Sequence, residues 1–168
     1  MNLSRTLMTF CVLAISTPAS AEPIGRWWAG SGMGDLEYGY NRGDGTEVYF
    51  SCNNDRQTMY LSAQIDGSSP RDENVVFSVD GDELEFYADK SGALEMKSRV
   101  SINNLYALFD MLKRGKSLTI RFSSSSINRG PTALAARSAS IRHSRSKTSI
   151  SLAGSAKALG NDICGANG

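Results

Sequence analysis

Leu36-Glu37-Tyr38-Gly39-Tyr40-Asn41-Arg42-Gly43-Asp44-Gly45-Thr46-Glu47-Val48-Tyr49-Phe50-Ser51-Cys52 is the stretch that decides the fold. Leu36, Tyr38 and Tyr40 point one way, and Val48, Phe50 and Cys52 resume the same alternation after a cluster of Asn, Gly and Asp. Two period-two runs joined by turn residues read as antiparallel strands with one buried face. The pattern repeats downstream with Met59, Leu61, Ala63 and Ile65, then Val75, Phe77 and Val79, then Leu84, Phe86 and Ala88. Asp66-Gly67, Asp80-Gly81 and Lys90-Ser91-Gly92 punctuate these runs, and Leu94 and Met96 follow the last. Asp-Gly pairs suit the positive φ of tight hairpin turns.

The period changes once. Ile102, Leu105, Tyr106, Phe109 and Leu112 form a helical stripe, widened by Leu108 and Met111. Ser101 is the expected N-cap and Gly115 the residue after the end, with Lys113 and Arg114 placed where the helix dipole favours cations. Leu118, Ile120 and Phe122 read as another strand, Thr148 to Leu152 as the last, and Ser155 to Leu159 as a short helix. The expected fold is therefore mainly β: an antiparallel sandwich or meander, with one covering helix over about 101–114 and a short C-terminal helix. No internal repeat is visible.

Met1 to Ala21 has the form of a secretory signal. Arg5 supplies the positive start, Leu7 to Ile15 the apolar centre, and Ala19-Ser20-Ala21 the cleavage site. No run reaches the roughly 18–20 apolar residues of a membrane-spanning helix. The expected division is a signal peptide over 1–21 and one domain over 22–168. Cleavage would remove Cys11 and leave Cys52 and Cys164, which in an oxidising compartment most simply form one disulfide. The alternative is a redox-active thiol pair, which would lack any C-x-x-C spacing.

At 40% hydrophobic and 21% charged, the composition is globular rather than disordered. The formal net charge of +1 hides two opposite halves. Residues 22–96 hold 5 Lys/Arg and 15 Asp/Glu, a net of −10; residues 97–168 hold 12 and 2, a net of +10. Cross-strand pairing would neutralise much of this. The alternative is a basic strip of Arg137, Arg142, Arg145 and Lys147, within a Ser/Arg-rich segment over 123–147, offered to an acidic partner. Nucleic acid is not expected as that partner: the mature charge totals zero, the signal stretch directs the chain out of the cytoplasm, and no aromatic residues interleave with the strip.

Chemistry-bearing motifs are sparse. The single histidine, His143, excludes multi-histidine metal sites; it could act as a base for Ser140 or Ser144, or be a solvated loop residue. Asp80, Asp82, Glu83, Glu85 and Asp89 cluster without the spacing of a calcium loop, so no metal or cofactor is expected. Gly30-Ser31-Gly32-Met33-Gly34 follows no predicted strand and opens no helix, which fails the context of a phosphate loop. Trp27 and Trp28, with Tyr38 and Tyr40, either cap the core or form an exposed aromatic patch for a partner. Arg42-Gly43-Asp44 spells an adhesion tripeptide on a predicted hairpin tip, where the same residues also serve the turn.

The closing stretch Ile150-Ser151-Leu152-Ala153-Gly154-Ser155-Ala156-Lys157-Ala158-Leu159 with Cys164, and the earlier Tyr49-Phe50-Ser51-Cys52, resembles small secreted bacterial proteins of the invasion-associated locus B type. It is also similar to VasI-like accessory proteins of type VI secretion. These resemblances imply a periplasmic β-sandwich with a covering helix and no catalytic site. Ser91-Gly92-Ala93 is similar to the loop of periplasmic lysozyme inhibitors, without the aromatic residue that follows it there. The expectation is a non-enzymatic periplasmic or secreted protein that binds a protein or envelope component. The alternatives are an inhibitor or immunity protein against a secreted toxin or lysozyme, and a hydrolase using His143.

Overall fold

A computed structural model describes residues 23–32, 34–53, 58–123 and 144–160. The signal stretch, most of the basic segment and Cys164 lie outside them. The elements are β1 (Trp27–Gly32), β2 (Asp35–Asn41), β3 (Glu47–Asn53), β4 (Thr58–Gln64), β5 (Glu73–Val79), β6 (Asp82–Ala88), α1 (Arg99–Arg114), β7 (Ser117–Ser123), β8 (Ser144–Ser151) and α2 (Ser155–Leu159). They form two antiparallel four-stranded sheets. Sheet 1 is a meander in the order β1-β2-β3-β4, and sheet 2 runs β6-β5-β7-β8.

One apolar core joins them. Sheet 1 contributes Tyr38, Tyr40, Val48, Phe50 and Leu61; sheet 2 contributes Val75, Phe77, Phe86, Ile120 and Ile150. Helix α1 closes the core with Leu105, Leu108, Phe109 and Leu112. The Phe109 ring stands edge-on to Tyr38 at 5.3 Å and to Phe50 at 5.9 Å, so a helix that precedes sheet 2's third strand is anchored on sheet 1. Such edge-to-face pairs add about 0.5–1.5 kcal/mol to the burial itself.

Hairpins sit where the alternation breaks. Asp80 (φ 51°) and Gly81 (φ 106°) make a two-residue turn between β5 and β6. The Asp80 carboxylate also accepts the backbone N–H groups of Lys116 (2.9 Å) and Ser117 (3.0 Å), tying the start of β7 to that turn.

Several expectations are corrected. The helix begins at Arg99 and its N-cap is Ser98. Ser101, the expected cap, is its reciprocal partner in a capping box. Gly115 ends α1 in an extended conformation (φ −77°), so no left-handed cap is formed. Its glycine is required by space, because a Cβ there would lie 2.3 Å from Val79 Cγ1. Gly30 to Gly32 belong to β1, which the sequence did not announce as a strand. Beyond β6, Leu94 makes only an isolated bridge to Ala88, and β8 starts at Ser144 rather than Thr148.

Candidate partner-binding face

The two tryptophans separate. Trp27 points inward, 6% exposed, and its indole Nε1 donates to the Ser151 carbonyl at 3.1 Å, which links β1 to the end of β8. Tyr38 and Tyr40 are buried with it. Trp28 points to the opposite, outer face of sheet 1, as one step along a strand requires.

That outer face carries an aromatic row. Trp28 pairs across β2 with Gly39, and Gly39 with Tyr49. A Cβ on Gly39 would meet the Trp28 ring at 2.9 Å, so the bare glycine lets the indole lie on the sheet and reach Tyr49, 6.2 Å away between centroids. Tyr60 on edge strand β4 continues the row at 6.2 Å from Tyr49 and is 43% exposed. The rings are tilted to one another by 44° and 62°, which makes the row corrugated.

Carboxylates flank the rings. Glu37 Oε1 accepts the Tyr49 hydroxyl at 3.0 Å, and Asp35 accepts the Asn53 amide. Burial, then the hydrogen bond and charge of Glu37, push the Tyr49 phenol up to about 12. Both donors are neutral, and β1 to β4 contain no Lys or Arg. Trp28 Nε1 is buried without an acceptor among the described residues.

Sheet 2 treats its charge differently. On its outer face the acidic β6 and the basic β7 and β8 lie on one surface, and Arg121 reaches over β5 to Glu83 at 3.4 Å. Lys147 is exposed and in register with Arg121. Of the expected basic strip, only Lys147 has a described side chain. Arg137, Arg142 and His143 lie outside the described residues, as do the side chain of Arg145 and Cys164.

The other candidates take structural roles. Arg42 donates to Asp44 (2.6 Å), Thr46 (3.0 Å), Asp66 (3.3 Å) and, across the two sheets, to Thr148 of β8 (2.8 Å). The guanidinium of the Arg42-Gly43-Asp44 tripeptide is thus engaged inside the molecule. The Thr46 backbone N–H, above all, holds the Asp44 carboxyl below its usual range. Asp89 is lowered in the same way, first by the Ser91 hydroxyl and backbone. Glu83 and Glu85 are exposed on β6. No group of three or more His, Cys, Asp or Glu among the described residues could hold a metal ion. Arg26 and Lys157 line a cleft of about 450 Å³ between β1 and α2, together with Trp27, Trp28, Ala153 and Ala158. Sequence reasoning missed Glu37, Tyr49 and Tyr60. The signal was present, since all three occupy the outward positions of the same alternation that marked the core.

The architecture is that of a mainly β protein with two four-stranded antiparallel sheets, no barrel closure and two covering helices. Among the described residues, no helix is long and apolar enough to cross a membrane. The YfjT family model matches residues 25–159, and the chain belongs to the YfjT family. No curated protein and no solved structure matches it.

Proposed function

We propose that the chain is a non-enzymatic, exported binding or accessory protein of the bacterial envelope, and that the outer face of sheet 1 is its contact surface. The observation that carries this reading is the Trp28–Tyr49–Tyr60 row, three aromatic rings placed outward on a sheet whose other face already fills the core. Tyr60 is exposed and Trp28 and Tyr49 are half-buried, so the row offers a partly open aromatic surface of the kind that marks contact sites. Export rests on the signal-like Met1–Ala21 stretch, with a disulfide joining Cys52 to Cys164. Cys52 is buried and disulfide-bonded, and removal of Met1–Ala21 would leave Cys164 as its one possible partner within the chain.

Two measurements test the reading. The intact mass of the native product should begin at Glu22 and show no free thiol; an intact Met1 with free Cys52 and Cys164 overturns export. Immobilised full-length mature protein should retain an envelope component that a Tyr60→Ala variant, altered only at an exposed edge-strand ring, does not. Equal retention by both overturns the assignment of the face.

A further inference from the structure

The outer face of sheet 1 has a notch as well as a ridge. Along β1 the outward positions are Trp28, Gly30 and Gly32, one ring followed by two residues without side chains. Gly30 is the register partner of Glu37, so nothing on β1 covers that carboxylate. The Trp28 ring bounds the notch at one end, 3.6 Å from where a Gly30 Cβ would stand. The Glu37 carboxylate stands at the other end, 3.8 Å from where a Gly32 Cβ would stand. Glu37 Oε1 is oriented by the Tyr49 hydroxyl, while among the described residues Oε2 accepts no hydrogen bond.

We infer that this notch takes the guanidinium of an arginine on an extended, basic polypeptide partner. The inference rests on the reading of sheet 1 as the contact face. A planar cation can stack on Trp28 or Tyr49 and donate to Glu37 in one pose, which joins cation–π attraction to a charge-assisted hydrogen bond. Charge complementarity sets the sign of the partner: Asp35 and Glu37 are bonded to neutral donors, and the four strands bring no cation of their own. Ring tilts of 44° and 62° argue against a sugar oligomer, which stacks best on coplanar platforms. An extended segment running along β1 could set alternate side chains on this face.

The test uses the full mature chain and three probes: a peptide alternating Arg and Ser, its Asp-Ser counterpart, and a neutral N-acetylglucosamine oligomer. Binding is read from tryptophan fluorescence, in which Trp28 responds and buried Trp27 serves as the internal reference. The Arg-Ser peptide should bind saturably and weaken with salt, and the Asp-Ser peptide should not bind. Glu37→Gln keeps an acceptor for Tyr49 but removes the charge, and should weaken binding by about tenfold. Gly32→Val should do the same by covering the carboxylate. That variant should fold normally, because a Cβ at Gly32 meets only Glu37 at 3.8 Å or beyond. Wild-type affinity in both variants, both folded by circular dichroism, overturns the notch. Binding of the sugar oligomer that is lost in Tyr60→Ala, without binding of the Arg-Ser peptide, also overturns the notch but leaves the contact face standing. No binding of any probe, with envelope retention unaffected by Tyr60→Ala, removes both.

Discussion

The outer faces of the two sheets are built to the same geometry and solve opposite problems. Sheet 2 places Glu83 and Arg121 on one surface and pairs them at 3.4 Å. On sheet 1 the carboxylates of Glu37 and Asp35 accept from a phenol and an amide, neutral donors that leave their charge in place, and aromatic rings lie beside them. A surface that answers its own charge needs no partner for it. One that orders charge without answering it is prepared for something of opposite sign. The segregation of acidic and basic residues along the chain therefore has two outcomes in space. Part cancels across sheet 2, and part is concentrated on sheet 1.

The comparison can be broken or sharpened by substitution. The largest effect should come from the core that supports both faces. Phe109→Ala should cost about 3–5 kcal/mol in denaturant unfolding and loosen both sheets together, since its ring touches Tyr38 and Phe50 while its helix packs on β5 and β6. A cost below about 1 kcal/mol would mean that α1 does not join the sheets. Next is Gly39→Ala, whose added methyl meets the Trp28 ring at 2.9 Å and the Val48 carbonyl at 3.0 Å. It should cost about 1–3 kcal/mol and shift Trp28 fluorescence, a change that no comparable substitution on sheet 2 should reproduce.

Tyr49 gives a smaller effect with a defined sign. Its folded pKa of about 12 lies above the ordinary value of 10.0, so its contribution to stability is complete below pH 10 and is lost as pH rises toward 12. In ultraviolet titration Tyr49→Phe should remove a phenol that ionises toward pH 12, and Glu37→Ala should bring that ionisation down while leaving the part due to burial. A Tyr49 ionisation that Glu37→Ala leaves unchanged would remove Glu37 as the organiser of the face. The smallest effect belongs to sheet 2. A double-mutant cycle on Glu83 and Arg121 should give only about 0.2–1 kcal/mol, screened by salt, because both side chains reach solvent.

Most of this architecture was legible from alternation. Val48, Phe50 and Cys52 fill the core as their spacing requires, and Asp80-Gly81 turns where its backbone preferences place it. Strand β1 was hidden because Gly30, Ser31 and Gly32 have little intrinsic preference for extended structure. Their conformation is imposed by pairing with β2. The helix start was misplaced because Ser98 and Ser101 are chemically equivalent candidates, and the exposed Arg99 and Val100 between them carry no apolar period. Trp27 and Trp28 could not be told apart by residue type, since the register of β1 decides which ring enters the core. Glu37 and Tyr49 sit twelve residues apart, and only the β2–β3 register brings them within hydrogen-bond reach.

Strand order also bears on how the molecule reaches its folded state. Sheet 1 is made of four consecutive segments joined by short connections, so it can zip together once Gln64 has emerged from the ribosome. Sheet 2 must wait: its second-position strand β5 pairs with β7 only after α1 has been threaded between them in sequence, and β8 follows later still. During that interval the nascent half-sandwich shows an unsheltered oily side made of Tyr38, Phe50 and Leu61. Until sheet 2 covers it, that apolar side is open to association with other chains, and slowing synthesis of the C-terminal half should favour aggregation over folding.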